Sequence, residues 1–161
     1  MNHNTKKMQR LRAITRPIDE IIVHCSATRA GMDYKAEDID DRHRQEPFNF
    51  KCIGYHYVID LDGTIELGRD LKDAGAHCYG HNVNSIGVCY IGGLDSEGHP
   101  ADTRTDAQKL ALRALLQVLK SVWPQAEIHG HNEYSDKQCP CFDAQREYED
   151  ITAVMYYESI R

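Results

Sequence analysis

Ile21-Ile22-Val23-His24-Cys25 is a run of β-branched residues followed by a histidine and a cysteine. Branching at Cβ favours the pleated backbone, so the run predicts a strand. Alternation along that strand places Ile22, His24 and Ser26 on one face and Ile21, Val23 and Cys25 on the other. Upstream, residues 1–18 read as a polar N-terminal lead-in, and residues 19–161 as one domain. Downstream, residues 35–46 predict a charged helix stopped by Pro47. Residues 52–60 predict a second strand. Asp62-Gly63 is a hairpin turn signal, and residues 64–67 return as a third strand. Ser85 to Ile91 predicts a buried strand that ends at Gly92-Gly93.

The clearest helix covers 106–122. Thr105 and Gln108 form a capping box. Leu110, Ala111, Ala114, Leu115, Val118, Leu119 and Val122 make an apolar stripe at helical spacing, which implies core packing. Trp123-Pro124 ends it. A short strand near Glu127-Ile128 leads into an irregular polar segment, 129–141, and a last helix is predicted over about 143–158. Strands alternate with helices around one tight hairpin. The expected fold class is therefore α/β (mixed α+β): a single domain with a central mixed β-sheet flanked by helices.

Composition narrows the function classes. The chain has 161 residues, 41% hydrophobic and 27% charged, with a net charge of −6. That suits one globular domain. No basic cluster follows the first dozen residues, so a nucleic-acid partner is not expected. Lys6-Lys7, Arg10 and Arg12 read as a solvated tail. No apolar run approaches the roughly 20 residues of a membrane span, so no membrane partner is expected. The N-terminus lacks the apolar stretch of a signal peptide. Synthesis in a reducing compartment is the expectation, and action on a cell wall would then need a separate release route. The six cysteines are not spaced as a small disulfide scaffold.

Three places concentrate metal-type ligands. His24 lies near a strand end. His129, His131, Cys139 and Cys141 share one segment. His77 and His81 lie in Gly75-Ala-His-Cys-Tyr-Gly-His-Asn82. Zinc takes His, Cys or carboxylate ligands, and three protein ligands leave a catalytic site one position open. His131-Asn-Glu133 with Pro140-Cys141 is similar to the H-x-E and P-C-x-x-C elements of zinc nucleobase deaminases. The second cysteine of that motif is missing and the two halves lie too close together, so that reading is set aside.

A different set of motifs carries a stronger likeness. They are Val23-His-Cys-Ser-Ala-Thr28, Gly54-Tyr-His-Tyr-Val-Ile59, Asp62-Gly-Thr64, Gly68-Arg-Asp70, Gly75-Ala-His77, Asn84-Ser-Ile-Gly-Val-Cys89, Gly92-Gly93 and Lys137-Gln-Cys-Pro140 with Phe142-Asp143. In this order, over about residues 20 to 150, the chain resembles the zinc-dependent N-acetylmuramoyl-L-alanine amidases of the phage-lysozyme type, which are related to the peptidoglycan-recognition proteins.

The resemblance implies an amidase domain over 19–161 that cuts the amide between N-acetylmuramic acid and L-alanine in peptidoglycan. It implies one catalytic Zn2+ held by His24, His131 and Cys139. It implies catalytic roles for Tyr55 and Lys137, and a place for His77 beside the substrate near the metal. His129 matches no ligand of the family. Cys141 stands where a small residue is usual and could compete with Cys139 for metal or oxidise with it. His56 points away from Tyr55 on its strand and reads as a supporting residue. Two other functions remain compatible with the scaffold: a muropeptide-binding module that does not cut, and an amidase acting on recycled muropeptides in the cytoplasm. Relatives that only bind typically lack the ligand cysteine, which is present here. Oligomeric state is not legible in the sequence.

Overall fold

The structure is a computed structural model and describes Leu11 and residues 13–152. Its strands are β1 (Glu20–Cys25), β2 (Thr28–Arg29), β3 (Tyr57–Ile59), β4 (Ile65–Leu67), β5 (Ser85–Tyr90), β6 (Gly93–Leu94) and β7 (Glu127–Gly130). Its helices are α1 (Ala36–Arg44), α2 (Asp106–Val122) and α3 (Ala144–Glu147), with a 3₁₀ turn over His131–Glu133. Five strands form one sheet in the order β4-β3-β5-β1-β7, and β2 pairs with β6 separately. In the five-stranded sheet only β4 runs antiparallel, against β3. The expected mixed sheet flanked by helices is what forms.

The two faces of β1 separate two cores. Ile21, Val23 and Cys25 join Ile86, Val88, Tyr90, Tyr57 and Ile59 under the α2 leucines. On the opposite face, Val58 and Ile91 pack with Ala36, Ile39 and Ile53, which brings in α1. Burial of each such aliphatic side chain is worth about 1.5–3 kcal/mol. His24 sits on this second face, flanked in register by Cys89 of β5.

Several boundaries differ from the sequence reading, each for a local reason. Only 57–59 of the expected 52–60 strand pairs as a ladder. Ahead of it, the Gly54 N–H donates to His43 Nδ1 and its carbonyl accepts from Ala76 N–H, so a helix side chain and a loop replace strand neighbours. The hairpin is as expected: Gly63 has φ of 85° and Asp62 accepts from Thr64 N–H at 2.9 Å. β7 runs on to Gly130, so His131 follows directly from a strand end. The last predicted helix is four residues long within the described part, and its expected continuation over 153–158 lies outside the described residues. In the 1–18 lead-in, Leu11 and Ile18 are buried, and Arg16 donates to the carbonyls of Leu71, Val83 and Ser85.

The buried stripe of α2 is rotated from the expected one. Leu112, Leu115, Leu116 and Leu119 are buried, whereas Leu110 is 73% exposed. Apolar residues surround much of this helix, and a polar contact sets its rotation. Gln108 is fully buried and donates to the carbonyls of Ile59 (3.1 Å) and Ile91 (2.9 Å) while its backbone N–H donates to Thr105 Oγ1. Truncating Gln108 leaves the buried Ile91 carbonyl without its donor, whereas the Ile59 carbonyl still accepts from the Ile91 N–H. Gln108→Ala is therefore expected to lower unfolding free energy by about 2 kcal/mol, and Leu110→Ala by less than about 0.5 kcal/mol. Urea denaturation of the two variants checks this.

Candidate metal centre and cleft

Strand register builds the centre. β1 and β7 pair in parallel with Val23 opposite Gly130, so one step further places His24 beside His131. Their ring centroids lie 4.6 Å apart. Cys139 arrives from the loop beyond. Its neighbour Pro140 packs against Gly130, where any Cβ would lie 3.0 Å from the proline ring. The Pro140 carbonyl accepts from the Tyr90 hydroxyl at 2.7 Å. Farther on, Asp143 caps α3, and Phe142 lies under the Arg104 guanidinium at 3.3 Å from the ring centroid. Arg104 is itself held by Asp102 and Glu147. The result is a His24, His131 and Cys139 cluster whose donor atoms all lie within 4.8 Å of one another, the one such group among the described residues.

His24 is oriented by a chain of contacts. Its Nδ1 faces Cys139 Sγ at 3.8 Å and its Nε2 meets His77 Nδ1 at 2.9 Å. His77 Nε2 in turn reaches Ser85 Oγ at 3.3 Å. A neutral His24 that offers Nδ1 as a ligand carries its proton on Nε2 and donates it to His77. His77 lies over Gly87, where an added Cβ would come within 2.6 Å of its ring. Asn82 Oδ1 accepts from the His77 and Cys78 backbone N–H groups and fixes that loop.

Electrostatics favour the ligand forms of these groups. Burial pushes His24 well below its ordinary pKa, helped by His77, His131 and Lys137. Burial, then Lys137, lowers His131 as well. Both imidazoles are therefore neutral at pH 7, as metal binding requires. Burial raises the Tyr55 phenol well above its ordinary value, with nearby thiols adding to the effect, so it keeps its proton. The Cys25 thiol is raised far above its ordinary value by its hydrogen bond to Cys139, and by burial.

A cleft of about 650 Å³ opens over the cluster. His131, Cys139, Tyr55, His77 and Lys137 all line it, so those five of the six sequence-selected residues share one wall space with His24 beneath. The Tyr55 ring lies 5.0 Å from His24. His129 is on β7 but two residues back, and its ring nitrogens meet Glu133 (2.6 Å) and Glu127 (3.3 Å). His81 also lies apart from the cluster, against Glu20 at 2.8 Å. His56 accepts from the Gly87 N–H through Nδ1 and meets the Asp73 carbonyl through Nε2, which is a scaffold role.

Sequence reasoning missed several contributors. Arg42 and His43 of α1 line the cleft. The Glu20 carboxylate accepts from the Tyr134 hydroxyl at 2.6 Å and ties the 131–139 segment to β1. Asn82 was within reach, because a loop that turns at Gly80 leaves backbone N–H groups in need of an acceptor. Nothing local marks Glu20, since a charge at a strand start reads as solvated.

The chain is similar to known proteins in sequence and in fold. The sequence pattern of the N-acetylmuramoyl-L-alanine amidase family matches residues 14–142. The endolysin of Klebsiella phage KP32 is 42% identical over 130 residues, covering 81% of this chain and 85% of the relative. Among solved structures, the N-acetylmuramoyl-L-alanine amidase LysC from Clostridium intestinale superposes with a TM-score of 0.68 at 25% identity, covering 84% of this chain and 83% of that one. A Drosophila PGRP-LB mutant in complex with tracheal cytotoxin gives the same TM-score and identity over 84% and 82%. The chain belongs to the N-acetylmuramoyl-L-alanine amidase family, the enzymes related to peptidoglycan-recognition proteins. It is a peptidoglycan amidase.

Two scaffold histidines give a pH signature. Burial lowers His43 and His56 from 6.5 to about 4 in the folded state. Between those values the unfolded chain binds more protons than the folded one. The stability they contribute is complete above pH 6.5 and is lost as pH falls toward 4. Unfolding free energies of the metal-free protein, from urea titrations, are expected to fall across that window by a few kcal/mol, with a shallower slope in His56→Gln.

Proposed function

We propose that this chain hydrolyses the amide joining the lactyl group of N-acetylmuramic acid to L-alanine, using one zinc ion held by His24, His131 and Cys139. The observation that carries the reading is the convergence of two neutral imidazoles and one thiol on the floor of a cleft. That donor set fits zinc: borderline-soft nitrogen and sulfur ligands, with no redox demand. When bound, zinc would polarise the carbonyl and lower the pKa of a coordinated water from 15.7 toward roughly 7.

The chain's own residues supply the remaining functions. The His24–His77–Ser85 contacts hold the strand histidine in one orientation and one tautomer. Tyr55 keeps its phenolic proton and donates a hydrogen bond to the carbonyl oxygen as negative charge develops there. Lys137 brings a flexible ammonium to the cleft mouth and adds a positive point charge at the same place. The cleft walls from α1 and the 75–82 loop take the glycan and stem peptide to either side of the bond. The muropeptide is thus the proposed partner, and residues 19–152 the described part of the proposed catalytic domain.

His131→Ala and Cys139→Ala are expected to lose zinc and peptidoglycan hydrolysis together, measured by metal analysis and by release of L-alanine amino termini from purified cell wall. Tyr55→Phe is expected to keep zinc while kcat falls about 10²–10³-fold, the cost of a lost transition-state donor. Retention of zinc in both ligand variants, or parental hydrolysis by Tyr55→Phe, contradicts the assignment.

A further inference from the structure

The Cys139 sulfur has two thiol neighbours that hydrolysis leaves unused. The Cys25 backbone N–H donates to Cys139 Sγ at 3.2 Å, and that sulfur also lies 3.9 Å from the Cys25 carbonyl, so Cys139 Sγ is seated against the Cys25 backbone. The Cys141 thiol is turned to the Gly93 carbonyl at 3.3 Å. Gly93 packs so closely on Cys25 that a Cβ there would strike the sulfur, which confines the Cys25 thiol on that side. All three cysteines are free. Cys139 is half-buried and lines the cleft, within reach of a small solute, whereas Cys25 is 5% exposed.

We propose that Cys139 and Cys25 form a reversible disulfide when hydrogen peroxide enters the cleft, and that this linkage switches the amidase off by removing Cys139 from the donor set. The switch rests on the reading of Cys139 as a ligand; the linkage itself rests only on the seating of Cys139 Sγ against Cys25. The steps balance. Cys139 sulfur attacks one peroxide oxygen, an S–O bond forms, the O–O bond breaks, and hydroxide leaves to become water with the Cys139 thiol proton or one from solvent. The Cys25 sulfur then attacks Cys139 Sγ, an S–S bond forms, the S–O bond breaks, and the hydroxyl leaves with the Cys25 proton as a second water. Two thiols are oxidised by two electrons in all and one peroxide is reduced to two waters. The seating of Cys139 Sγ against Cys25 makes the second step intramolecular, which favours capture over further oxidation. Cys141 is the less suited partner because its thiol points to Gly93.

The test treats the zinc-loaded protein with hydrogen peroxide, alkylates the remaining thiols, and maps unreduced peptides by mass spectrometry. Zinc release is followed with a chromogenic chelator. The expected result is a peptide pair joining Cys25 to Cys139, lighter by two hydrogens, with loss of zinc and hydrolysis in step. Dithiothreitol plus zinc restores both. Cys141→Ser forms the same linkage. Cys25→Ser, checked for folding by circular dichroism with Cys25→Ala in reserve, stops at sulfinic acid on Cys139 and is not restored by reductant. A Cys25–Cys141 or Cys139–Cys141 linkage, or no linkage, overturns the proposal, as does a Cys25–Cys139 linkage with zinc and activity retained. The same mapping on metal-free protein separates the two readings: a protein that never holds zinc yet forms the linkage refutes the metal assignment and not the thiol chemistry.

Discussion

The parallel register of β1 against β7 is the constraint on which the site depends. With Val23 opposite Gly130, His24 and His131 leave the sheet side by side on one face. A slip of one residue would send one imidazole into the leucine core under α2. That slip is costly because it would bury an imidazole among the leucines and carry Ile21 and Val23 out of the core they share with them. The leucines of α2 therefore act on the chemistry at a distance, by holding a register.

The third member of the cluster is placed differently. Cys139 lies on a loop with no strand to fix it, and its position comes from anchors on either side. The Tyr90 hydroxyl holds the Pro140 carbonyl, Gly130 lets the proline ring approach, and Arg104 stacks on Phe142 while paired with two carboxylates. These anchors are themselves buried and satisfied, which limits the loop's freedom. Burial then sets the protonation states, because neutral imidazoles and a protonated phenol are the forms that loss of solvent around these side chains favours.

Much of this was legible in the sequence, and the limits are physical. The β-branched run at 21–25, the Asp62-Gly63 turn and the Thr105–Gln108 cap each state a local backbone preference, and each element formed. His24, His131, Cys139, Tyr55, His77 and Lys137 were selected by an ordered set of motifs, and the fold gathers them around one cleft. The rotation of α2 was not legible, since leucines occupy most of its circumference and the deciding contact is a buried glutamine reaching two distant carbonyls. Nor was the short β3: residues 52–56 look like strand, but the partners of Gly54 are His43 and Ala76, which no local pattern announces. Glu20 and Tyr134 meet only because the chain returns 114 residues later.

X-ray absorption at the zinc edge of the reconstituted protein tests the central claim most directly. The account predicts one sulfur at about 2.3 Å and two imidazole nitrogens at about 2.0–2.1 Å, with one further light atom. Two sulfurs around the metal, or a shell of oxygens alone, would contradict it.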